Sequence, residues 1–327
     1  MSDKARLFLT RSLPREVMDF LQEHFELSFN HLDRPLDKRE IIDGARDCDA
    51  LLCLLTDTID AEVIDALPHV QVISNYAVGF DNIDVAAATR KNIPVCNTPG
   101  VLTSATADLT WALILALTRR MVEADRFVRA GSFQGWDPLL FLGPELSGLT
   151  LGIVGMGRIG RAVAKRAVGF DMRIQYAKRT PLSPEEAVSR AEHTDLDSLL
   201  QGSDIVSLHL PYSSQVHHVI DDQALARMKP QAYLINTARG PLVDEQALVS
   251  ALKRGQLAGA GLDVYEHEPA VHPGLMEMDC VVLAPHIGSA TEQARVRMGR
   301  MAAENALAVL QGVQPHSVAN LQVLSGQ

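Results

Sequence analysis

The chain has 327 residues, 47% of them hydrophobic and 21% charged, with 30 Lys and Arg against 40 Asp and Glu. That length suits two domains, and the composition is that of an ordinary folded protein, not a disordered, collagenous or coiled-coil one. A net charge of −10 without any long run of Lys or Arg argues against a nucleic-acid partner. The longest apolar stretch, around residues 111–117, is far short of the about 20 residues that a membrane span needs. The N-terminal MSDKARLFLT has charges but no apolar core, so a signal peptide is not expected. Cys48, Cys53, Cys96 and Cys280 are scattered, with no CxxC and no zinc spacing. They read as four free core thiols in a reducing cytosol.

Short apolar runs alternate with helix-like segments from the start. RLFLT, ELSFN, DALLCLL, VQVIS and IPVCN read as strands, and REVMDFLQEHF, DKREIIDGAR and DAEVIDAL read as the helices between them. Such alternation predicts βαβ units and a parallel sheet. A turn at Pro99-Gly100 closes this first series. A long helix is expected over about 103–129; its middle, WALILALTRRM, is apolar almost all round and should be buried. A Gly-, Pro- and aromatic-rich linker follows, and then a second series: LTLGIVG, MRIQYA, DIVSLHL, AYLINT, GAGLDV and CVVLAP. These near-continuous apolar runs suit strands covered on both faces. A last helix is expected near 291–310. The fold class is therefore α/β, with two lobes built on parallel sheets, Rossmann-like or flavodoxin-like. Residues 1–99 form one lobe, completed by a tail, 290–327, that returns to it, and 100–289 form the other.

Gly155-Met156-Gly157-Arg158-Ile159-Gly160 is a GxGxxG with the strand LTLGIV running in and the helix RIGRAVAKRAVGF running out. The glycines allow a tight turn, approach of a pyrophosphate to the backbone and close helix packing. The helix N-terminus adds amide donors and partial positive charge. A glycine-rich turn without a ligand is the plain alternative, which the flanking strand and helix argue against. An NAD site wants Asp or Glu at the end of the second strand. Here MRIQYA ends in Lys178-Arg179-Thr180, and a cation suits a 2′-phosphate. NADP(H) is therefore favoured, with NAD(H) possible; the alternative is that both cations are solvated loop charges.

Ligands of open α/β sheets lie outside the carboxyl ends of the strands. Arg239 follows AYLINT, Glu268 follows GAGLDV, and His286 follows CVVLAP. Singly each has a bland role: a salt-bridge partner, a loop carboxylate, one of eleven histidines. Together, beyond a dinucleotide turn, they fit carbonyl reduction. His286 supplies the proton, as imidazole does near neutral pH. Glu268 holds the other ring nitrogen. Arg239 offers a planar fork to a carboxylate and stabilises negative charge on the carbonyl oxygen. His217-His218 and Glu266-His267-Glu268, with His272 nearby, match no metal spacing, so no metal is expected.

Val78-Gly79-Phe80-Asp81-Asn82-Ile83-Asp84, the Gly155 turn, Asn236-Thr237-Ala238-Arg239-Gly240, Asp263-Val264-Tyr265-Glu266-His267-Glu268-Pro269 and Pro285-His286-Ile287-Gly288 together resemble the D-isomer-specific 2-hydroxyacid dehydrogenase family over nearly the whole chain. The stretch from Gly135-Trp136 to LSGLTLGIVGMGRIGRAVA looks most like the glyoxylate/hydroxypyruvate reductases of that family. The resemblance implies an active site between the lobes, with Arg239 binding substrate and His286 as acid/base paired with Glu268. It implies that the Val78 and Gly79 amides hold the substrate carboxylate. Thr106 and Asp263 would lie near the nicotinamide carboxamide, Pro211 and Ala238 in loops lining the cofactor, and Gly288 in the histidine turn. A homodimer through the 103–129 helix is implied as well. Glu268 argues against formate dehydrogenases, which carry Gln, and Val78 against phosphite dehydrogenases, which need Lys. Another 2-hydroxy acid or phosphonate on the same machinery remains open, as does a corepressor-like dinucleotide-binding module. Leu102, Trp136 and Phe141 are candidates to bound the substrate side chain.

Overall fold

A computed structural model describes residues 4–326. In chain order the elements are β1 (Arg6–Leu9), α1 (Arg15–His24), β2 (Glu26–Phe29), α2 (Lys38–Ala45), β3 (Ala50–Cys53), α3 (Ala61–Asp65), β4 (Val72–Asn75), α4 (Val85–Arg90) and β5 (Val95–Cys96). Next come α5 (Thr103–Thr118), α6 (Met121–Arg129), β6 (Thr150–Val154), α7 (Arg158–Ala167), β7 (Arg173–Ala177), β8 (Ala191–Thr194), α8 (Leu196–Gly202) and β9 (Ile205–Leu208). The chain ends with α9 (Asp222–Arg227), β10 (Ala232–Asn236), α10 (Glu245–Lys253), β11 (Leu257–Leu262), α11 (Pro273–Met276), β12 (Val281–Leu283) and α12 (Glu292–Leu310). Two units result: Met1–Leu102 with Ala290–Gln327, and Thr103–Ser289. No described helix is long and apolar enough to cross a membrane.

The first unit is a parallel sheet in the order β2-β1-β3-β4-β5. The central strands β3 and β4 are buried on both faces, whereas edge strand β2 alternates between exposed and half-buried residues. Helix α12 packs on α1 and β4 of the same unit. Buried Asn305 on α12 donates to the Asn97 carbonyl at 3.0 Å and accepts the His316 amide at 2.8 Å, and Ser74 donates to the Ala302 carbonyl at 2.8 Å.

The second unit is a parallel sheet in the order β12-β11-β10-β9-β6-β7-β8. All seven strands point the same way, so their carboxyl ends share one edge, and strand order reverses between β6 and β9. Apolar clusters cover both faces, one around α8, α9 and α10, the other around α5 and α7. Trp111 on α5 stacks on Phe170, and its indole donates to the Val163 carbonyl at 3.1 Å.

The long helix expected over 103–129 is two helices. α5 ends at Thr118, and Arg120, in the left-handed region at φ 50°, turns the chain into α6. The bidentate Arg120–Glu123 ion pair sits on that kink. Periodicity missed the break because TRRM continues the helical pattern on both sides. The four cysteines are unpaired, but Cys280 is half-buried and not a core thiol.

Asn305→Ala should lower the stability of the first unit by about 1–3 kcal/mol, because the buried Asn97 carbonyl and the part-buried His316 amide lose their partner. Calorimetric unfolding checks this; an unchanged transition would show that water replaces the amide.

Candidate active site

The strand ends of the second unit present, in spatial order, Lys178 after β7, Gly155 after β6, His209 after β9, Ala238 and Arg239 after β10, Asp263 after β11 and His286 after β12. Gly155 has φ 96°, and a Cβ there would lie 2.7 Å from the His209 carbonyl. A Cβ on Gly160 would lie 2.3 Å from the Gly155 carbonyl, so α7 can approach the turn only with glycine there. Gly157, by contrast, would point a Cβ into open space.

Helices α2, α3, α4, α8, α9 and α10 each start on an Asp side chain that caps a backbone amide. Helix α7 starts on Gly157, with no side-chain cap and no acid in its first turn. Its first amides, from Arg158 to Gly160, and its dipole thus face a space that suits a pyrophosphate. The residues fit a dinucleotide.

His286 Nδ1 and Glu268 Oε2 lie 2.8 Å apart, both side chains partly exposed. Burial alone would raise the Glu268 carboxyl, but the His286 hydrogen bond and charge, the Tyr265 amide and the charge of Arg239 outweigh it and hold it below the usual range. Glu268 Oε1 accepts that Tyr265 amide at 3.0 Å. His286 occupies the left-handed region at φ 54°. Its amide donates to the Asp263 carbonyl at 2.8 Å, and the Asp263 carboxylate accepts the Ile287 and Gly288 amides, each at 2.7 Å. Burial raises the Asp263 carboxyl above its ordinary value, although those amides and His286 oppose it.

Arg239 is positioned by a local turn. Asn236 Oδ1 accepts the Ala238 amide at 3.0 Å, and its Nδ2 donates to the Arg239 carbonyl at 2.8 Å. Arg239 Nη1 donates to the Ala238 carbonyl at 2.8 Å. Buried Thr106 donates to the Gly288 carbonyl at 3.0 Å, and Thr110 bonds the Thr106 carbonyl and the Thr237 hydroxyl, each at 2.9 Å. Pro211 is exposed after β9. In the first unit, Asn97 donates to the Val78 carbonyl at 2.7 Å and Asn75 to the Gly79 carbonyl at 2.9 Å.

Sequence reasoning passed over His209. Burial pushes its imidazole down to about 3, so it is neutral at physiological pH, and its Nε2 lies 2.8 Å from Ser207 Oγ. The signal was its place directly after a buried strand. His217, His218 and Glu266, which the spacing left unassigned, do converge: their ligand atoms lie within 4.8 Å of one another, and His218 Nε2 is 2.6 Å from Glu266 Oε1. His272 instead caps α11 through the Gly274 amide. Within its unit Trp136 is 85% exposed, and Phe141 packs edge-on against Phe127. A cavity of about 360 Å³ lined by Arg120, Glu123, Tyr233 and Asp279 lies at the opposite, amino-terminal edge of the sheet, away from these groups.

Residues 111–288 match the model of the NAD-binding domain of D-isomer-specific 2-hydroxyacid dehydrogenases. The chain is 50% identical to a glyoxylate reductase of Thermofilum pendens, over 98% of this chain and 96% of that one. The structure of a glyoxylate reductase from Paecilomyes thermophila superposes with a TM-score of 0.87 at 35% identity, covering 98% of this chain and all of that one. That of an NADPH-dependent glyoxylate/hydroxypyruvate reductase from Sinorhizobium meliloti, in complex with NADP and malonate, gives 0.87 at 31% identity and 97% of both chains.

Gly240→Ala should displace the Arg239 turn, because its Cβ would fall 1.8 Å from the Tyr265 carbonyl oxygen. We expect a fall in the unfolding temperature and loss of turnover; wild-type values for both would show that the backbone at Tyr265, beyond β11, yields.

Proposed function

The chain belongs to the D-isomer-specific 2-hydroxyacid dehydrogenase family, and from that footing we propose that it reduces glyoxylate or hydroxypyruvate to the D-2-hydroxy acid, with NADPH preferred over NADH. The observation that carries this reading is the 2.8 Å His286–Glu268 pair, within the electrostatic reach of Arg239, on the sheet edge that bears the open glycine turn. Similarity to glyoxylate reductases along nearly the full chain supports the substrate class.

The amides of Arg158, Ile159 and Gly160, with Gly155 and Gly157, would hold the pyrophosphate, and Lys178 and Arg179 the 2′-phosphate. Thr106, Pro211, Ala238, Asp263 and Gly288 would line the rest of the dinucleotide. When bound, the dinucleotide supplies a hydride to the carbonyl carbon. His286 gives its Nε2 proton to the carbonyl oxygen as charge develops there. Glu268 accepts from Nδ1, fixing which nitrogen faces substrate and stabilising the charged ring. Arg239 stabilises the oxygen and pairs with the carboxylate through its planar fork. The family resemblance also assigns the substrate carboxylate to the Val78 and Gly79 amides, whose carbonyl neighbours Asn97 and Asn75 steady.

Phe133, Trp136, Leu139 and Leu142 are 55–85% exposed within one segment of the second unit, which supports association with a second copy of the chain. Four unpaired cysteines suit a reducing compartment such as the cytosol.

Loss of NADPH absorbance with glyoxylate, hydroxypyruvate and larger 2-keto acids tests the reading; no turnover with any of them would overturn it. His286→Ala should lower kcat by roughly 10²- to 10⁴-fold in a chain that still folds cooperatively. Near-normal turnover would remove His286 from its role.

Glu268 also marks the pH dependence of stability. Its carboxyl is held low in the folded protein, so ionised Glu268 stabilises the fold above the ordinary carboxylate range. That contribution is lost as pH falls through the lowered value. Glu268→Gln should therefore be less stable than wild type at neutral pH and nearly equal to it in acid. Unfolding temperatures measured in steps from pH 7 downward check this, and a constant offset at every pH would contradict it.

A further inference from the structure

We infer that Glu186 supplies the ribose-recognising carboxylate that the end of β7 lacks, and that Glu186 and Lys178 together set the choice between NADH and NADPH. The inference rests on reading the glycine turn as a nicotinamide dinucleotide site. In such a site the adenosine ribose lies at the end of the second strand, where a carboxylate accepts from its 2′-hydroxyl. β7 ends at Ala177, and Lys178 stands in that position. The chain then loops out and comes back through a short turn of 3₁₀ helix, Pro184–Glu186.

That return brings Glu186 back to the strand end. One of its oxygens is ion-paired to Arg161, which projects from the first turns of α7. The other lies 3.8 Å from the Lys178 ammonium. Arg161 therefore anchors the carboxylate on the helix that begins at the glycine turn, and its free edge faces the strand end. Glu186 and Lys178 are 39% and 34% exposed, open enough to reach a ligand.

The two cofactor forms would meet this pair differently. A free 2′-hydroxyl donates to the Glu186 carboxylate and leaves Lys178 paired. A 2′-phosphate draws Lys178 and Arg179 to itself and lies against the Glu186 charge, which disfavours it. A carboxylate and two cations at one position thus admit both forms, and Glu186 holds back the preference for NADP(H). A Glu to Gln change keeps the shape and removes only the charge.

The test is calorimetric binding of NAD⁺ and NADP⁺ to the full chain, wild type and Glu186→Gln, with unfolding temperature as the check on folding. We expect Glu186→Gln to weaken NAD⁺ and tighten NADP⁺, shifting the ratio of the two Kd values about tenfold, the scale of one charge-assisted hydrogen bond. Lys178→Ala with Arg179→Ala should shift the ratio the other way. An unchanged ratio in Glu186→Gln, or equal weakening of both dinucleotides, would overturn the assignment of Glu186 alone. Failure of the wild type to bind either dinucleotide would overturn it together with the cofactor reading beneath it.

Discussion

The buried carboxylate of Asp263 is the constraint on which the rest of the second unit's site depends. It lies at the end of β11 and gathers the chain that leaves β12: its backbone carbonyl takes the His286 amide, and its two carboxylate oxygens take the Ile287 and Gly288 amides. A residue other than glycine in the left-handed region is strained, and His286 stays at φ 54° because three successive amides are pinned around it. Burying a carboxylate is costly. Here the cost is met by donors that would otherwise be unsatisfied themselves, so the turn and the acid stabilise each other. The imidazole consequently leaves the turn in one direction, toward Glu268.

The two reacting loops are also referred to a common element. Thr106 and Thr110 are one turn apart on α5, and their hydroxyls reach the Gly288 carbonyl and Thr237 respectively. Thr237 belongs to the turn that carries Arg239, and Gly288 to the turn that carries His286. A buried helix, stacked through Trp111 on Phe170, thus sets the spacing between guanidinium and imidazole. Its nearly uniform apolarity follows: α5 packs on α7 on one side and on β10, β11 and β12 on another, so little of its surface is left for water.

Most of this was legible in the sequence because parallel strands buried on both faces are long apolar runs, and because strand ends are marked where such runs stop. Arg239, Glu268 and His286 could be placed on one edge without coordinates for that reason. The short helices α4, α8 and α9 and the edge strand β8 were not legible, since six or seven residues give a weak period and β8 is only half-buried at best. The kink at Arg120 was hidden because it needs an unusual φ at a residue that otherwise favours helix. The roles of Asp263, Thr110 and Asn236 were hidden for a different reason. Each acts through backbone amides, carbonyls or hydroxyls of residues distant or unremarkable in sequence, and no residue type announces such a contact.

The placement of charge around the glycine turn ties these scales together. At α2, α3, α4, α8, α9 and α10 the helix start is neutralised by its own Asp cap, which spends an amide and opposes the dipole locally. At α7 the cap is Gly157, with no acid in the first turn, and Glu186 is paired to Arg161 and lies near Lys178 at the end of β7. The open amides are thus kept for an anion, while the acid is kept where a hydroxyl would need it. A chain with a net charge of −10 has many carboxylates to place. Leaving the α7 start uncapped, with Lys178 and Arg179 at the end of β7, sets amide donors and cations where the pyrophosphate and 2′-phosphate of a dinucleotide would need them.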